Sequence, residues 1–152
     1  MPIVELSDLP RLLAPRQRLF GLDVGSKTIG VAVSNSALRV ASPVETIRRT
    51  KFAADARRLA RLMEDRAVGG FVVGLPVNMD GSEGPRCQST RQFAANLLER
   101  IDLPLAFWDE RLSTAAVTRA MIDADLTRRK RAREVDRLAA TYILQGALDS
   151  LT

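Results

Sequence analysis

Three carboxylates stand where packing alone would not put them. Asp23 interrupts an apolar run, Leu19-Phe-Gly-Leu-Asp-Val-Gly-Ser-Lys-Thr-Ile-Gly-Val-Ala-Val33, just before a glycine turn. Alternation along that run puts Gly21 and Asp23 on one face and Phe20, Leu22 and Val24 on the other. Glu110 follows the apolar segment Leu105-Ala-Phe-Trp-Asp109. The C-terminal end of a strand in an α/β sheet is the usual place for a ligand. Asp136 precedes Ala139, Ala140 and Ile143 by three, four and seven residues, so it shares a helical face with apolar side chains. Singly, these acids read as a turn residue, a surface charge and a helix-dipole partner. Together they would repel one another unless a cation neutralised them. Two divalent ions about 4 Å apart would do so, and would make a site for cutting phosphodiesters.

Composition narrows the chemistry further. The 152 residues include no histidine, which excludes Ser-His-Asp and Cys-His nucleophilic catalysis and ordinary zinc sites. Any metal must be held by oxygen, which favours Mg²⁺ or Mn²⁺. The one cysteine, Cys87, permits no internal disulfide. No secretion signal is evident, and no apolar run approaches the roughly 18 residues of a membrane span. A cytoplasmic protein is expected. Lys and Arg number 23 against 18 Asp and Glu, a net charge of +5 that is compatible with a nucleic-acid partner. With 46% hydrophobic residues the chain can bury one ordinary domain.

The elements that must position the acids follow from periodicity. Residues 18–24 and 28–34 read as a β-hairpin and residues 38–47 as a third strand, at an edge or bulge because of Pro43. Residues 51–65 read as a helix stopped by Gly69-Gly70, with a short strand at 71–75 after it. Residues 76–85 are a turn-rich loop, 86–100 a helix and 103–108 a strand. Ser113 is suited to cap a helix burying Ala116, Val117, Ala120 and Met121. Residues 126–133 read as a basic loop and 134–148 as the last helix. The order is β-β-β-α-β-α-β-α-α: an antiparallel meander followed by α/β alternation, hence a mixed sheet with helices on both faces. Residues 1–17 read as an irregular N-terminal arm and 18–150 as one domain.

Other residues could contact phosphate. Lys27 lies in the hairpin turn, Asn78 in the turn-rich loop and Arg111 beside Glu110. The alternative for Arg111 is an ion pair with Asp109. Arg128, Arg129, Lys130, Arg131 and Arg133 form the densest basic run and lead directly into Asp136.

Four segments in order carry a family pattern: Phe20 to Val33, Val73-Gly-Leu-Pro-Val-Asn-Met-Asp-Gly-Ser82, Asp109-Glu-Arg-Leu-Ser-Thr114 and Val135-Asp-Arg-Leu-Ala-Ala140. Together they resemble the YqgF/RuvX family, described as pre-16S rRNA nucleases and also as Holliday junction resolvases. The resemblance spans about residues 18–150. It implies a ribonuclease H-like fold and Asp23, Glu110 and Asp136 as catalytic, metal-holding acids. It also implies Mg²⁺-dependent phosphodiester hydrolysis in maturing the 5′ end of pre-16S rRNA. A basic residue is common in the family where Glu134 stands here.

Branched DNA is the alternative substrate. The Asp23 segment also resembles the first phosphate loop of actin-like ATPases, but the chain has length for only one such domain. An inactive RNA-binding assembly module is a further alternative, against which the intact acid trio argues. The expected assembly is a monomer or homodimer.

Overall fold

The computed structural model describes residues 3–112 and 128–152, with the backbone alone described for 128–137. Five strands, β1 (Arg18–Val24), β2 (Thr28–Ser34), β3 (Ala41–Arg48), β4 (Val68–Leu75) and β5 (Leu105–Asp109), form one sheet in the order β3-β2-β1-β4-β5. The first three are antiparallel neighbours, whereas β1, β4 and β5 run parallel. This is the mixed sheet expected from the sequence. The chain leaves β1 on one side and returns to it on the other as β4. Such a topological switch opens a crevice beyond the C-terminal ends of the parallel strands.

Helices cover both faces. Helix α2 (Phe52–Glu64) and helix α3 (Pro85–Arg100) lie over Phe20, Leu22, Val24, Ile29, Val31, Phe71 and Val73. Helix α4 (Arg128–Ser150) lies over Leu19, Ala32, Val72, Ala106 and Trp108. The alternation of β1 and β4 side chains between these two cores is period-two geometry. Helix α4 meets the sheet with Ala139, Ala140, Ile143, Leu144, Ala147 and Leu148, all buried. Their spacing makes one stripe along the helix.

Several boundaries differ from the sequence reading. Strand β3 starts at Ala41 rather than 38, because Asn35 Oδ1 accepts the N–H groups of Arg39 and Val40 and holds 35–40 as a loop. It is an edge strand, and its register with β2 shifts beside Pro43, as expected. Gly69 and Gly70 do not stop α2 but lie inside β4. Ala67, at φ 50°, makes the turn, and the β1–β4 register steps over Gly69 as a bulge.

The basic run expected as a loop is helical from Arg128. It contains neither Gly nor Pro, and Lys, Arg and Ala are strong helix formers. The expected helix after Ser113 lies outside the described residues. No described helix is long and apolar enough to cross a membrane.

From Ile3 onward the N-terminal arm packs against the sheet. A 3-10 turn (Leu6–Asp8) runs into the one-turn helix α1 (Leu9–Leu12). The Val4 N–H donates to the Leu105 carbonyl at 2.8 Å, and Leu9 is fully buried among the α4-side core residues.

Candidate active site

Asp23 lies one residue from the end of β1, on the face covered by α4, and is only 4% exposed. Its antiparallel partner on β2 is Gly30. On the other side Leu22 pairs with Val73, so Gly74 of β4 follows at the level of Asp23. The carboxylate therefore sits between two positions without side chains.

Glu110 opens a 3-10 turn (Glu110–Leu112) directly after β5 and is 8% exposed. It continues the face of Ala106 and Trp108, the face that carries Asp23. A Cβ placed on Gly74 would lie 3.3 Å from Glu110 Cγ and 2.4 Å from Ile143 Cδ1. The missing side chain thus leaves room that Ile143 and the Glu110 stem share. Two strand spacings separate the β1 and β5 backbones, about 10 Å. Both carboxylates border Gly74, one from each side. Sequence reading passed over Gly74, although a lone glycine within Phe71-Val-Val-Gly-Leu75 is the signal of a close approach.

The backbone of α4 brings Asp136 to the same end of the sheet. A Cβ on Gly21 would lie 2.6 Å from Leu144 Cβ and 3.1 Å from the Ala140 carbonyl oxygen. Further along, Gln145 Oε1 accepts the Ala41 N–H at 2.9 Å, beside the opposite end of the sheet, where Ser34 pairs with Ala41. The helix therefore runs antiparallel to β1. One turn back from Ala140 is about 6 Å, and two strand residues on from Gly21 is about the same. These steps reach the backbone of Asp136 and that of Asp23. Asp136 also lies eight residues inside α4, beyond the first turn where the helix dipole favours an acid. Its side chain lies outside the described residues, as do those of Arg128, Arg129, Lys130, Arg131 and Arg133. Among the described residues no three metal-ligating side chains form a group.

The phosphate-contact candidates divide. Arg111 is engaged by Asp109: its Nη2 donates to Asp109 Oδ2 at 2.7 Å, its Nε at 3.1 Å, and its backbone N–H to Oδ1 at 2.9 Å. The Arg111 hydrogen bonds hold the Asp109 carboxyl below the usual carboxylate range. Arg111 Nη1 also reaches the Met79 carbonyl at 3.5 Å, tying the turn-rich loop to the end of β5.

Within that loop Asn78 Nδ2 donates to Ser82 Oγ at 3.0 Å, and Asp80 Oδ1 accepts the Ser82 hydroxyl at 2.6 Å. Hydrogen bonds from the Ser82 hydroxyl and then its backbone N–H lower the Asp80 pKa. Gly81 takes φ +91°, a backbone conformation open mainly to glycine. Lys27 is exposed on the hairpin turn, and its carbonyl accepts the Arg49 N–H at 2.8 Å.

Another buried acid has a structural duty. Asp55, 4% exposed, accepts both the backbone N–H and the hydroxyl of Thr50 at 3.0 Å, pinning the entry to α2. Cys87 is buried at the start of α3, and burial pushes its thiol pKa up, away from reactivity.

The chemistry of the pair suits a divalent cation. Two buried carboxylates flank Gly74, Asp23 by strand register and Glu110 by contact, and both offer only oxygen. Carboxylates so placed favour a hard ion.

The chain is similar to known proteins over nearly its whole length. A family model described as "RuvX: Holliday junction resolvase" matches residues 17–150. A protein of Paramagnetospirillum magneticum named "Putative pre-16S rRNA nuclease" is 57% identical over 150 residues, covering 99% of this chain and 97% of its own length. A relative of the same name from Phenylobacterium zucineum is 60% identical over 153 residues, with 99% and 98% covered. Among solved structures, RuvC of T. thermophilus in complex with a Holliday junction substrate superposes with a TM-score of 0.53. The sequence identity is 12%, with 88% of this chain and 94% of that one covered. The likeness shows the ribonuclease H-like fold.

Proposed function

The chain belongs to the RuvX family, and on that premise we propose that it is a divalent-metal-dependent endonuclease that trims the 5′ end of pre-16S rRNA. The observation that carries this reading is the pair of buried carboxylates, Asp23 and Glu110, bordering Gly74 at the C-terminal ends of parallel strands. A binding surface for phosphates gains nothing from buried negative charge. A nuclease does, because the acids recruit the cation that phosphates also need.

Asp23 and Glu110 would hold Mg²⁺, or Mn²⁺ in its place, with Asp136 entering from α4. When bound, such ions lower the pKa of an attacking water and neutralise charge on the scissile phosphate. The protein's own part is positional. Burial between strands fixes the carboxylate of Asp23, so little reorganisation is needed when a substrate arrives. Arg111, held by Asp109, presents a planar donor group at the mouth. Lys27 and the basic first turns of α4 would steer the phosphate backbone toward the acids.

The test is cleavage of pre-16S rRNA by wild type and Asp23→Asn, with Mg²⁺ and with chelator. Loss of the carboxylate should cost several kcal/mol of transition-state stabilisation, about 100-fold or more in rate. Circular dichroism should stay unchanged, and chelation should abolish wild-type cleavage. Full activity of the variant would reject the assignment. The family's description as Holliday junction resolvases favours a second reading, branched DNA. Faster cleavage of a four-way DNA junction than of the RNA would select it.

A further inference from the structure

A groove of about 1550 Å³ lies along the edge of the α2/α3 side, away from α4. It begins at the hairpin turn that follows Asp23 and runs between β3 and the first half of α3. Its size exceeds the roughly 300–1,000 Å³ of a small-molecule pocket, so it suits a chain better than a single nucleotide.

The charge of its lining is mostly positive. Lys27, Arg48, Arg49 and Arg86 border it, and among the described residues no carboxylate pairs with any of them. The one acid in the lining, Glu45, is taken by Arg58, whose Nε donates to Glu45 Oε2 at 2.9 Å. Arg49 is already ordered: Nη1 donates to the Gly25 carbonyl at 2.7 Å, and its guanidinium stacks 5.4 Å from the Phe93 ring centroid. A cation fixed in advance loses little freedom on meeting a phosphate. Phe93, buried, and Phe52, half-buried, meet edge-to-face at 5.5 Å in the groove floor, and the amides of Gln92 and Asn96 stand along α3. A row of cations with amide groups beside it makes a track for one phosphate backbone.

We propose that this groove binds the single-stranded RNA flanking the cleavage point, the strand crossing the β1–β2 turn between Asp23 and Lys27. The choice of RNA rests on the nuclease reading above; the phosphate-binding chemistry does not. The groove would hold the substrate on the opposite sheet face from the acids, so binding and cutting would be separable.

The experiment measures anisotropy of a labelled RNA of about 12 nucleotides, with chelator present so that nothing is cut. Wild type is compared with the double variant Arg48→Glu/Arg86→Glu over about 50 to 200 mM salt. Losing two phosphate contacts should weaken binding about tenfold or more and reduce the salt slope by about 1.4. Thermal melting checks that the variant is folded. Independently, 4-thiouridine RNA should crosslink wild type on the peptide containing Gln92 to Asn96.

Wild-type affinity and slope in the folded variant would overturn the proposal. So would crosslinks confined to peptides outside the groove, or a mononucleotide competing as well as the strand. Tighter binding of DNA of the same sequence would overturn the assignment to RNA. A wild type that binds through the groove yet cleaves no pre-16S rRNA with Mg²⁺ supports the groove and refutes the nuclease reading. Cleavage without any effect of the reversal on binding refutes the groove alone.

Discussion

Gly74 is the smallest residue in the candidate site and the one that shapes it. A methyl group there would lie 2.4 Å from Ile143 Cδ1, closer than carbon atoms tolerate. Gly74→Ala should therefore destabilise the protein by about 1–3 kcal/mol, the usual cost of overpacking. It should also slow cleavage, since Glu110 Cγ must shift from 3.3 Å. Urea unfolding checks the first effect. Adding Ile143→Val, which removes the clashing methyl, should recover part of the lost stability without restoring full activity. The unusual setting of Asp23 was legible in the sequence, because a carboxylate inside an apolar run is conspicuous. The duty of Arg111 was not, since pairing with Asp109 and contact with a phosphate predict the same residue types.

Helix α4 matters for where it points. Gln145 fastens it to the sheet edge: its Oε1 accepts the Ala41 N–H and its Nε2 donates to the Arg39 carbonyl, both at 2.9 Å. Gln145→Ala would leave two backbone groups without these partners, and should cost about 1–2 kcal/mol. If the clamp sets the helix position, the same variant should slow cleavage, because Asp136 rides on the far end of that helix. An unchanged unfolding midpoint would show that the clamp contributes nothing. Periodicity located the second half of α4 well, from the Ala139, Ala140, Ile143 and Leu144 stripe. It misjudged the start, because the basic turns carry no apolar period and a charged run resembles a loop. The same limitation hid the glycine bulge in β4, which exists only relative to its partner strand.

The N-terminal arm belongs to the domain at the scale of the whole molecule. Leu9 is fully buried among Leu19, Ala106, Leu144 and Leu148, residues drawn from three other elements. Leu9→Ala should cost about 2–5 kcal/mol, the range for a leucine removed from a packed core. A loosely attached arm would show no such loss in a denaturant titration. By itself the sequence determined the hairpin, the face on which Asp23 lies, and the restriction to oxygen donors. Those follow from alternation along one strand and from the absence of histidine, both local or compositional properties. Only the tertiary structure decided that Gly74 stands between Asp23 and Glu110, that Leu9 of the arm is buried, and that an arginine-lined groove opens on the opposite face. These depend on contacts between residues far apart in the chain, 36 positions for Gly74 and Glu110 and 139 for Leu9 and Leu148, whose local patterns carry no record of one another.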